Sequence, residues 1–101
     1  MKRKVYVSGP MTGFPEYNYP AFNKATEILE QIGLEVYNPA RDFLYDGPLN
    51  EFPIKTAFKE YCDFICTQAE EVYMLKGWEK SVGARAEHAL ALAVGIEICY
   101  Q

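Results

Sequence analysis

The chain has 101 residues, half of them hydrophobic, with 10 Lys and Arg against 14 Asp and Glu, a formal net charge of −4 and a single His. That length holds one domain with its own core, and a 24% share of charged residues is ordinary globular composition, which excludes intrinsic disorder. The acidic balance excludes a duplex-coating nucleic-acid binder, which needs a basic stripe, and no apolar run approaches the roughly 20 residues of a membrane span.

The basic start, Met1-Lys2-Arg3-Lys4, reaches the turn at Gly9-Pro10 after three apolar residues, too soon for a signal-peptide apolar region, and three cysteines without paired spacing make a reducing cytoplasm the expected compartment. A small anionic ligand stays compatible with the charge, because a helix end or a single Arg can hold one phosphate.

The periodicity alternates between strand and helix, with no internal repeat, linker or low-complexity tract. Val5-Tyr6-Val7 is a first strand that ends in the turn Ser8 to Pro15. A helix capped near Asn18 or Tyr19 follows, with Pro20 in its first turn and Ala21, Phe22, Ala25, Ile28, Leu29 and Ile32 on one apolar face. Gly33 ends it, and Leu34-Glu35-Val36-Tyr37 is the second strand. Asn38 to Phe52 reads as a long irregular stretch with a turn at Asp46-Gly47-Pro48; it is either a binding lid or a surface loop tucked down by Phe43, Tyr45 and Phe52.

Pro53 opens a second long helix with Ile54, Ala57, Phe58, Tyr61 and Ile65 on its packing face. Val72 to Leu75 is the third strand, Lys76 to Lys80 a loop, and Ser81 the N-cap of a helix over Val82 to Val94 that stops at Gly95. Ile96 to Tyr100 is the last strand. Right-handed crossovers then predict an α/β, flavodoxin- or Rossmann-like three-layer sandwich whose four parallel strands run in the order 2-1-3-4, as a single domain over 1–101.

Ligands in such sheets bind beyond the carboxyl ends of the strands. Candidate substrate contacts at that edge are Ser8, Gly9 and Met11 from the first turn, Asn38 from the second, and Trp78, Ser81 and Gly83 from the third. Ser81 caps a helix whose free N–H groups suit a phosphate, and Trp78 either stacks on a ring or covers the core. The first turn is not G-x-G-x-x-G and there is no second mononucleotide half, so a dinucleotide cofactor is not expected.

Glu87 lies in the small-residue run Gly83-Ala84-Arg85-Ala86-Glu87-His88-Ala89. Either it is a desolvated carboxylate with a raised pKa, or it lies on an exposed strip beside Arg85 and His88. Asp63 points away from the apolar face of its helix and reads as a solvated charge. Cys62 and Cys66 share one side of that helix, but one His and no second Cys pair cannot complete a metal site, so no metal is expected. The Ala-rich last helix and a thin sheet with two open edges point to a homodimer or larger assembly.

The motifs Val5-Tyr6-Val7-Ser8-Gly9-Pro10-Met11-Thr12-Gly13, Asn38-Pro39-Ala40 and Met74-Leu75-Lys76-Gly77-Trp78-Glu79-Lys80-Ser81-Val82-Gly83-Ala84-Arg85-Ala86-Glu87 resemble a family of small phage and bacterial proteins. That family is similar to the nucleoside 2-deoxyribosyltransferase superfamily, which includes deoxynucleoside 5′-monophosphate N-glycosidases. The resemblance implies that Glu87 is the nucleophilic carboxylate, that Tyr6 orients it, and that Asp63, eight residues before Glu71, contacts the base and assists its departure.

A serine at position 81, where transferases of free nucleosides tend to carry a carboxylate, implies a 5′-monophosphate substrate. The implied activity is N-glycosidic cleavage or transfer through a glycosyl-enzyme on Glu87, as a hydrolase or a transferase, with no cofactor. Some relatives complete each site with residues of a neighbouring subunit. The competing reading is a non-catalytic nucleotide-binding protein, such as a phage sponge for a nucleotide signal.

Overall fold

The computed structural model describes residues 2–101, apart from the side chain of Leu49; Met1, where the expected domain begins, lies outside the described residues. Strands β1 (Lys4–Ser8), β2 (Glu35–Tyr37), β3 (Glu71–Met74) and β4 (Glu97–Tyr100) all pair in parallel, in the order β2-β1-β3-β4. This is the α/β architecture and strand order that the sequence predicts. Helices α1 (Tyr19–Gln31), α3 (Ile54–Thr67) and α4 (Val82–Val94) form the outer layers, with a short α2 (Pro39–Asp42) after β2.

Alternation along β1 sorts the core into two clusters. Val5 and Val7 face α1 and pack with Phe22, Ala25, Leu29 and Val36, whereas Tyr6 faces the other layer and packs with Ala57, Tyr61 and Ile65 of α3 and Ala84 and Ala91 of α4. Being covered on both faces, the two central strands read as continuous apolar runs rather than as alternating ones. Gly33 and Gly95 follow α1 and α4 with φ of +93° and +78°, the left-handed geometry in which helices stop.

Three expectations are corrected. The buried stripe of α1 is Phe22-Ala25-Thr26-Leu29; Ile28 and Ile32 are exposed, because a 3.6-residue period turns them about 110° and about 70° off that stripe. Ile54 is 60% exposed, since it stands at the first position of α3, beyond the sheet. The stretch after β2 is not irregular throughout. Asn38 caps α2 by accepting from the Ala40 N–H, Pro39 fills the first turn, and a 3-10 turn spans Leu49–Glu51. Within that stretch Phe52 packs edge-on against both Phe43 and Tyr45, and Phe43 against Tyr61, so the loop is tucked down by its own aromatics.

Candidate active site

Glu87 sits on the buried stripe of α4. Ala84, Glu87 and Ala91 recur at three- and four-residue steps and face the sheet, while Arg85 and Ala86 are turned to solvent and His88 is rotated off the stripe. The carboxylate is only 5% exposed. Two hydroxyls from β1 reach it: Tyr6 donates to Oε2 at 2.7 Å and Ser8 donates to Oε1 at 2.6 Å. Residues two apart on a strand share a face, so this clamp follows from the register of β1 under α4.

Burial pushes the Glu87 carboxyl up to about 7, against the pull of the Ser8 and Tyr6 hydroxyls, which favour the anion. Burial, and then the charge of Glu87, hold the Tyr6 phenol well above its usual range, so it remains a donor.

A cavity of about 330 Å³ opens in front of this carboxylate, beyond the carboxyl end of β1. Tyr6, Ser8, Gly9, Met11, Gly83 and Glu87 border it. Among its described lining residues Glu87 is the only group that carries charge. Gly9 is required where β1 leaves the sheet: a Cβ there would stand 2.8 Å from the Cβ of Leu75.

The sequence did not single out three further lining residues, Tyr17, Tyr19 and Tyr61. Tyr61 was visible only as a core residue of α3. Tyr17 is set at the rim by a run of left-handed backbone, with φ of +53°, +53° and +61° at Glu16, Tyr17 and Asn18, which the Asn18 amide ties to the Pro10 carbonyl at 2.9 Å. The signal was the pair Pro15 and Pro20 bracketing a short segment. Phe52 also borders the cavity, so the tucked loop forms one wall.

Four sequence candidates lie outside this cavity. Asp63 is exposed on α3, because two residues, about 200° of helix, separate it from both Tyr61 and Ile65 on the buried face. Asn38 is fully buried, but its side chain is spent on the α2 cap and on donating to Asn23 Oδ1 at 2.9 Å. Ser81 Oγ accepts from the Ala84 N–H at 3.1 Å as the cap of α4, two residues before Gly83. Trp78 packs against the core and stacks on His88 at 4.2 Å, with His88 bonded to the Tyr100 hydroxyl, so its ring face is already covered.

Cys62, Cys66 and Cys99 are free thiols. Among the described residues, Glu71, Glu97 and Cys99 bring three metal-type ligands together at the opposite end of the sheet, where Arg3 pairs with both glutamates.

Solved structures share this fold, two 2-deoxyribosyltransferases among them. The 2-deoxyribosyltransferase of Bacillus psychrosaccharolyticus superposes with a TM-score of 0.75 at 21% identity, over 96% of this chain and 70% of that one. The 2-deoxyribosyltransferase of Leishmania mexicana gives a TM-score of 0.69 at 16% identity, over 97% of this chain; the chain spans 63% of its length. No curated protein matches the sequence. A family model matches residues 3–100, nearly the whole chain, and the chain therefore belongs to the family described as a domain of unknown function, DUF4406.

Proposed function

We propose that the chain breaks the N-glycosidic bond of a nucleoside or nucleoside 5′-monophosphate, with Glu87 as the nucleophile, and passes the sugar to water or to a second base. One observation carries this reading: a desolvated carboxylate, held at both oxygens, facing an otherwise uncharged cavity beyond the carboxyl end of a parallel strand. The shared fold with 2-deoxyribosyltransferases supports the same class of chemistry.

A Glu87 oxygen attacks C1′ as the C1′–N bond breaks. The bonding pair leaves with the base, which takes up a proton from water in the cavity, and the sugar is left as an ester on Glu87. Water, or the nitrogen of a second base, then attacks C1′, gives up a proton and frees the carboxylate. The low polarity of the site serves the charge that spreads over the sugar ring, because a buried anion acts on an oxocarbenium-like centre more strongly than one in bulk water.

The 5′-phosphate, in this reading, points to the head of α4. Gly83 borders the cavity there, and neutral Ser81 adds no repulsion to the positive helix end.

The placement of Asp63 outside the cavity favours a second reading, in which the chain binds a nucleotide without cleaving it. Incubation with a panel of deoxynucleoside and ribonucleoside 5′-monophosphates and the free nucleosides, followed by chromatography, separates the two. Cleavage predicts released base from the wild type and a loss of at least about 10³-fold in Glu87→Gln. Ligand recovered intact while it still raises the melting temperature supports binding alone.

A further inference from the structure

Ser8 was expected to touch substrate, yet its hydroxyl proton is committed to Glu87 Oε1 at 2.6 Å. The residue is fully buried and closes β1, a central strand, where it pairs with Met74 and its carbonyl accepts from the Leu75 N–H at 2.8 Å. Its hydroxyl therefore projects from the paired end of a central strand and not from a loop. Tyr6 holds the other oxygen from the same strand at 2.7 Å. With one donor on each oxygen, the carboxylate cannot turn about its last bond without breaking both contacts. A single donor would leave that rotation free.

We propose that Ser8 is a positioning residue: its hydroxyl, opposing that of Tyr6, fixes the plane of the Glu87 carboxylate and so selects the lone pair presented to the sugar carbon. This rests on the reading of Glu87 as nucleophile. The groups facing Glu87 are few. Tyr6 comes from β1, Tyr61 and Cys62 from α3, both pushed up by burial and by the Glu87 charge, and Tyr17 and Tyr19 also line the cavity. On α4 itself Arg85 is turned to solvent and His88 to Trp78 and Tyr100. A change at Ser8 is thus read directly in the behaviour of Glu87.

The test is the titration of the Glu87 side-chain carboxyl by carbon-13 NMR in the wild type, Ser8→Ala and Ser8→Thr, with Glu87→Gln to assign the resonance. The pH profile of base release is measured on the same proteins. Ser8→Ala removes a donor to the anion, so the Glu87 midpoint and the acidic limb of kcat both move to higher pH. At the same time kcat falls by at least about tenfold with KM little changed, as for an interaction made in the transition state. Ser8→Thr, which keeps the hydroxyl, restores both. An unchanged Glu87 titration in Ser8→Ala overturns the inference, whatever the activity. A shifted midpoint with kcat unchanged also overturns it, because Ser8 then holds Glu87 without serving the reaction. A wild type that releases no base from any substrate sinks the reading of Glu87 as nucleophile and this role for Ser8 together, and the titration then still reports whether the two side chains are coupled.

Discussion

At the scale of single residues, Glu87 is kept at a cost to the fold. With its carboxyl raised to about 7 in the folded chain, the native state holds more protons than the unfolded one between the ordinary carboxylate value and about 7. Stability therefore falls as pH rises through that window. Above it the full penalty is present, about 3 kcal/mol for a shift of this size. Glu87→Gln, which cannot ionise, is expected to match the wild type near pH 4 and to exceed it by about 3 kcal/mol at pH 8. Denaturant melts at the two pH values measure this, and an equal margin at both would refute it.

Such a residue was only half legible in the sequence. The small side chains around Glu87 announced close packing, but the choice between buried stripe and exposed strip depended on the phase of α4, which Ala84 and Ala91 fix only once the helix is docked. Asp63 shows the converse. Its spacing from β3 gave it a position along the chain, whereas its face was set by Tyr61 and Ile65 turning inward.

At the scale of elements, the strand and helix boundaries were readable because local chemistry sets them: Gly33 and Gly95 stop helices, and Ser81 starts one. Helix α2 escaped because four residues are too few to show a period. Its sign was Asn38-Pro39, a cap followed by a first-turn proline.

The turn after β1 depends on Gly9. A methyl group there meets the Leu75 side chain at 2.8 Å and pushes β1 away from the residue that follows β3, so Gly9→Ala should destabilise by about 1–3 kcal/mol in chemical denaturation. At the head of α4, aspartate caps as well as serine but brings a negative charge to the helix end. Ser81→Asp is expected to fold normally and to lower kcat/KM for monophosphates by roughly five- to tenfold, while free nucleosides change little. Equal losses on both would place the phosphate elsewhere.

At the scale of the whole molecule, a three-layer sandwich brings the ends of β1 and the flank of α4 to one cavity, with aromatic walls from the segment before α1, from the loop after β2 and from α3. The topology was legible because alternating helical and extended periods leave few right-handed arrangements. The cavity was not, because its walls come from segments far apart in sequence whose phenols and rings read locally as core. Among the described residues no helix is long and apolar enough to cross a membrane. An otherwise uncharged chamber built around one anion suits a substrate whose reacting centre becomes positive. The most direct test is mass spectrometry of the protein quenched in acid during turnover of a cleaved nucleotide and digested with protease. A peptide containing Glu87 that is heavier by one sugar or sugar-phosphate unit, absent from Glu87→Gln, is the predicted result; base release with no such adduct would contradict a covalent role for Glu87.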